Sequence, residues 1–166
     1  KLNQNIKKYQ IIDLPETFEF CSKFLKLALP ESLYSKVQFV DYREIGNCDV
    51  VDLDLAFDVD GFHAMPKPTI NEYKRVVLSK ANFVYIKNSV CKYPPECIGL
   101  ESVPTHLFEN GLMTELGDIY NEDDLNKFRL LYCQRYLPSD DFEIIDDEPS
   151  GSFPFFHHVL YKRKDP

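Results

Sequence analysis

Apolar and polar residues alternate along much of this chain, and the alternation is the period of a half-buried strand. "SKVQFVDY" and "CDVVDLDL" both read this way, and "REIGN" joins them. Gly46-Asn47 in that connection offers the backbone freedom of a tight turn, so a hairpin is expected here. "YQIIDLPETFEFCSKFL" reads as two short extended runs broken at Leu14-Pro15, with Phe18, Phe20 and Ser22 alternating on one face. "LKLALPESL" is a short apolar connection with helical character, stopped by Pro30. "GFHAMPKP" is a loop. "TINEYKRVVLSK" starts a helix, because Thr69 and Glu72 stand at capping-box spacing. "NFVYIKNSV" alternates again as a strand.

The second half is less even. "CKYPPECIGLESVP" is a proline-rich connection, and "THLFENGLMTELGDIY" is a helix weakened by Gly111 and Gly117. In "NEDDLNKFRLLYCQRYL", Asn121 caps the helix and three acids follow at its positive dipole end. Leu125, Phe128, Leu131, Tyr132 and Arg135 keep helical spacing, and Pro138 closes the helix. "DFEIIDD", the turn "EPSGS" and "PFFHHVLYKRK" form a terminal hairpin. The sum is an α+β chain, mostly β. Its dense strand and turn signals favour small barrels over a layered parallel sheet.

Composition narrows the function classes. With 166 residues, 44% hydrophobic and 14% aromatic, the chain can bury a core without staples. Nineteen basic residues against 27 acidic ones give a net charge of −8. That balance opposes binding to a phosphate backbone and suits a basic peptide. The five cysteines are odd in number and lack C-x-x-C spacing, which points to free thiols in a reducing compartment. No apolar run nears the roughly twenty residues of a membrane span. The opening Lys1 and closing "KRKDP" look like a piece of a longer intracellular protein.

The sequence carries little recognisable catalytic or metal-binding chemistry. Counting back from Gly61, a calcium loop would take Ala56, Asp58 and Asp60 as early ligands and Lys67 as the last, so its first and last ligands are missing. His157 and His158 point to opposite faces of a strand and cannot jointly chelate one ion, so one packed and one exposed histidine is expected. No nucleophile elbow, phosphate loop or H-E-x-x-H run is present. Neither a metal nor another cofactor is called for.

One resemblance does emerge. "VQFVDYREIGNCDVVDLDLAF" resembles the second half of a Tudor domain: an apolar-Asp-aromatic strand end (Phe39-Val40-Asp41-Tyr42), a Gly46-Asn47 turn, and a strand at Val50–Leu53. "IIDLPETFEFCSKF" is similar to the opening strands of extended Tudor domains, and "GFHAMPKP" to the passage leaving the Tudor core. The resemblance implies one compound domain over 1–166. A Tudor-like small barrel would occupy about 20–66, joined to a staphylococcal-nuclease-like lobe of OB type, with helices, from 1–19 and 67–166. It further implies a degenerate aromatic cage of Tyr34, Phe39, Tyr42 and Phe57, with Asp41 and Asn47 as polar members. Such a cage would hold an arginine or methylarginine of a basic partner peptide by cation–π attraction. The implied role is a non-catalytic interaction module in small-RNA (piRNA) assemblies, cytoplasmic and in perinuclear germ granules, with no direct nucleic-acid or membrane contact. Two alternatives stand beside it. One is a metal-dependent nuclease-like hydrolase built on carboxylates such as Asp41, Asp52 and Asp54. The other is a structural scaffold domain acting through its second half.

Overall fold

The computed structural model describes residues 5–47, 53–62, 65, 67–89, 133, 136–149 and 156–165. The chain divides into two compact units, Lys1–Asp49 and Val50–Pro166.

In the first unit, β1 (Tyr9–Asp13) pairs in parallel with β2 (Val37–Asp41), Ile11 standing opposite Phe39. Parallel neighbours need a crossover, and helices α1 (Pro15–Ala28) and α2 (Glu31–Tyr34) supply it. The extended reading of "PETFEFCSKFL" is therefore corrected. Pro15 sits in the first turn of α1, where its missing N–H costs nothing and its fixed φ suits the helix. After Pro15, the half-buried positions are Phe18, Cys21, Ser22 and Leu25, at helical spacing. Phe18 meets Phe39 of β2 with ring centroids 5.3 Å apart. The opposite side of α1 leaves Phe20, Phe24 and Leu27 exposed.

Among the described residues, the hairpin expected at "REIGN" is not found. Tyr42–Asn47 is a 3-10 turn, and its Ile45 is fully buried. Among the described residues β2 pairs only with β1, whereas the next described strand, β3 (Leu53–Val59), belongs to the other sheet. A Gly-Asn pair permits a tight hairpin but cannot impose one when burying an isoleucine favours a helical turn.

Among the described residues, the second unit forms a mixed four-stranded sheet in the order β3-β4-β6-β5. β3 runs parallel to β4 (Ala81–Ser89), and the crossover is α3 (Lys67–Val76) with a short 3-10 turn at Leu78–Lys80. The helix begins two residues before Thr69, with Pro68 in its first turn. β6 (Phe156–Arg163) lies antiparallel between β4 and β5 (Phe142–Pro149), so β5 and β6 form the hairpin that the terminal alternation predicts. One face of the sheet carries Ala56, Val84, Ile86, Val159 and Tyr161, all buried. Ile70, Tyr73 and Val76 of α3 are buried as well, and the Phe62 ring stacks on Tyr136 at 5.9 Å and meets Tyr73 at a tilt at 5.4 Å. The other face leaves Leu55, Phe57, Val59 and Phe83 partly open.

No closed barrel exists among the described residues, so the expectation of a Tudor barrel with a nuclease-like lobe is corrected. Two parallel strand pairs, each joined through helix, are the mark of a layered α/β arrangement instead. The proline-rich connection at 91–104, the weakened helix at 105–120 and most of the helix at 121–137 lie outside the described residues. Cys133 and Tyr136 of that last stretch are helical and buried.

Candidate functional site

In open α/β sheets, ligand chemistry gathers beyond the carboxyl ends of parallel strands. In the second unit that end is unusually polar. Asp58, near the end of β3, accepts a hydrogen bond from the Asn88 side-chain amide at 2.6 Å and another from the Phe62 N–H at 3.1 Å. Asn88, at the end of β4, is fully buried, so its amide depends on such partners. The loop between them turns tightly. Asp60 adopts a positive φ of 62°, and its N–H donates to Lys87 O at 2.8 Å. A side chain on Gly61 would place a Cβ 2.3 Å from Asp58 Oδ1, so glycine lets this carboxylate stay where it is.

The polar row continues into the hairpin. His157 stands opposite Asn88 across the β4–β6 ladder, and Pro149 stands opposite His157 on the other side. His157 is buried and its Nε2 contacts Asp147 Oδ1. On the reverse face of the hairpin, His158 Nε2 lies 3.2 Å from Asp146 Oδ2, and its ring stacks on Tyr85 at 5.7 Å. The two histidines thus divide between faces as the strand period requires, one buried and one half-buried.

Tyr161, on the buried face, donates its hydroxyl to Cys133 O at 2.6 Å. Burial, followed by the neighbouring Cys133, Tyr136 and Asp147, pushes its ionisation far above the ordinary tyrosine range.

In the first unit, the carboxyl ends of β1 and β2 carry Asp13 and Asp41. Asp13 is exposed and its Oδ1 takes the N–H of Leu14 at 2.7 Å. Asp41 is held by Arg43: Nη2 donates to Oδ2 at 2.7 Å, and Nε donates to both oxygens. That hydrogen bonding keeps the Asp41 carboxyl below the usual carboxylate range.

The residues proposed for an aromatic cage are distributed as follows. Tyr34 lies in α2, with its hydroxyl 2.8 Å from Ser22 Oγ of α1. Phe39 packs on Phe18. Tyr42 opens the 3-10 turn that Asn47 closes. Phe57 belongs to the second unit, on the open face of β3. Tyr34 and Phe39 are thus engaged by α1, and Asp41 by Arg43.

Asp58, Asn88 and Asp147 escape sequence reasoning. "DVDGF" carried a visible signal, since an Asp two residues before Asp-Gly marks a carboxylate folded over a glycine. Read as a calcium loop, it had to fail.

No protein-family model matches the chain, and no curated protein matches it in sequence. Solved structures do match in shape. The methyltransferase domain of bacterial CtHen1-C aligns with a TM-score of 0.57 and 9% identity, over 96% of this chain and 78% of that one. An O-methyltransferase family protein from Burkholderia thailandensis aligns at 0.55 and 14% identity, over 95% of this chain and 44% of its own. PigF with SAH aligns at 0.50 and 13%, over 98% and 44%. The chain spans less than half the length of the last two. At such identities the likeness establishes a methyltransferase-like α/β fold. It overturns the Tudor resemblance, and with it the inferred non-catalytic peptide module and its piRNA and germ-granule setting: the strands pair as parallel α/β units, which a Tudor barrel does not contain.

Proposed function

We propose that the chain forms part of a methyltransferase drawing its methyl group from S-adenosylmethionine. The observation that carries this reading is Asp13, an exposed carboxylate at the carboxyl end of a parallel strand, in a chain whose shape follows methyltransferase structures along nearly its full length. A carboxylate in that place is the acceptor that a ribose hydroxyl requires in doubly wound folds. Asp41, at the end of the adjacent strand, is already occupied by Arg43. Asp13 is thus the residue of this pair that suits the nucleoside.

The fit is to the ribose and stops there. The six glycines of the chain include no G-x-G run, so the turn that brings backbone close to such a cofactor does not come from these residues. When bound, the cofactor supplies an electrophilic methyl on a sulfonium.

The test is thermal unfolding during titration with S-adenosylhomocysteine. A ligand at a hundred times its Kd stabilises by about 2.7 kcal/mol. The wild-type midpoint should rise with concentration, and Asp13→Ala should abolish most of the rise. No response from the folded wild-type chain at millimolar ligand would overturn the reading; an equal response from both proteins would remove Asp13 from it.

A further inference from the structure

The β5–β6 hairpin carries a second feature, independent of any methyltransferase role. Cys133, Asp147 and His157 bring one ligand atom each to within 4.8 Å of one another. They arrive from three places: Asp147 from β5, His157 from β6, and Cys133 from the helical residues beside Tyr136. The ladder sets up the first two. Asp147 stands opposite Val159 and His157 opposite Pro149, which makes them diagonal neighbours. Tyr161 fixes the third, because its hydroxyl holds the Cys133 carbonyl at 2.6 Å. Cys133 is 3% exposed and His157 4%.

We propose that these three side chains bind a borderline-soft divalent cation of the zinc type. The donor set is thiolate, imidazole and carboxylate, the set such an ion takes. Bonds of about 2.0–2.3 Å in a tetrahedron place ligand atoms roughly 3.2–3.7 Å apart. The three ligand atoms lie within 4.8 Å of one another, and binding an ion parts the direct His157–Asp147 contact by side-chain rotation. Charge argues the same way. A thiolate, a carboxylate and a neutral imidazole around a dication sum to zero, and a neutral unit is what a buried position tolerates. On binding, the Cys133 thiol releases its proton to solvent, and the three side chains replace water on the ion. The fourth position keeps a water.

Burial separates this from a Cys–His–Asp nucleophile. A sulfur so enclosed cannot meet a substrate, but it can close a clasp between the hairpin and the helical segment. The cluster of Asp146, Glu148 and His158 on the reverse face lacks sulfur and is more open, with the Asp146 side chain 47% exposed. It therefore provides an internal control.

The experiment is titration of the whole chain with Co2+ and then Zn2+, with the folded state checked by circular dichroism. Expected are a thiolate-to-cobalt charge-transfer band saturating at one ion per chain, its loss on adding Zn2+, and a higher unfolding midpoint in the metal-bound protein. Cys133→Ser should remove the band and His158→Ala should keep it. Asp147→Asn, nearly the same size, should weaken cobalt binding about tenfold or more while leaving the fold intact; it decides the matter if the cysteine variant does not fold. A folded wild-type chain without the band, a band that survives Cys133→Ser, or an Asp147→Asn variant of unchanged affinity would each overturn the proposal.

Discussion

Replacing Gly61 by alanine tests the carboxyl end of β3 at a single atom. The new Cβ would lie 2.3 Å from Asp58 Oδ1 and 3.4 Å from its Cγ, so the carboxylate must swing away. In swinging, it weakens or breaks its bonds to Asn88 Nδ2 and to the Phe62 N–H. Hydrogen bonds to a charged acceptor contribute about 1.5–3 kcal/mol each. Asp58 is only half-buried and recovers part of this from water, whereas Asn88 is sealed and recovers little. A gross loss of about 2.5–3 kcal/mol follows. Alanine also stiffens the unfolded chain, which returns about 0.4–1 kcal/mol. The expected net cost is about 2 kcal/mol, or roughly 4–8 °C in a domain of this size. Urea unfolding followed by near-ultraviolet circular dichroism reads it directly, since Phe62, the next residue, contacts the rings of Tyr73 and Tyr136. A double-mutant cycle with Asn88→Ala then identifies the cause. Both changes remove the same bond, so their costs should fall short of adding by about 1 kcal/mol or more. Strict additivity, or an alanine variant as stable as wild type, would refute the account.

Two further outcomes follow from the geometry. Tyr161→Phe removes the 2.6 Å bond to Cys133 O, but that carbonyl keeps the Leu137 N–H at 3.1 Å. The cost should be about 1 kcal/mol. The variant should also leave the alkaline absorbance titration of the native protein unchanged, because burial raises the ionisation of the Tyr161 hydroxyl far above the ordinary tyrosine range. In the first unit, carbon NMR should find Asp41 titrating below an ordinary aspartate, and Arg43→Gln should move its midpoint up. A lowered native pKa means that this pair supports the fold above the unfolded value, near pH 3.9, and the support fades as pH falls through the native one. The pair is exposed, so the titration midpoint is the decisive readout rather than stability. An Asp41 midpoint unaltered by Arg43→Gln would contradict the assignment.

The comparison between sequence and structure is clearest at individual strands. Alternation in "NFVYIKNSV" and in the C-terminal segments correctly placed β4, β5 and β6, and it divided His157 from His158. The turn chemistry of a short sequence-local hairpin was enough to pair β5 with β6. The same alternation in "SKVQFVDY" placed β2, while "CDVVDLDL" reached only the first residues of β3, and neither run said anything of its partner. Each pairs in parallel with a strand many residues away, across a helix. Alternation looks alike in parallel and antiparallel ladders when one face is wet. A Gly-Asn turn between two such runs therefore invited a hairpin, and the hairpin invited a Tudor barrel. At Pro15 the error was one of period, since Phe18 and Phe20 suit a strand while Phe18, Cys21, Ser22 and Leu25 suit a helix.

Local pattern, then, determined which stretches extend and which faces are apolar, because those depend on neighbours two to four residues away. Long-range pairing decided everything that bears on chemistry. It set Asn88 beside Asp58 from thirty positions away and gathered Cys133, Asp147 and His157 around one point. Such meetings are fixed by the burial of a whole sheet face against helices, a collective energy that no short window of residues contains.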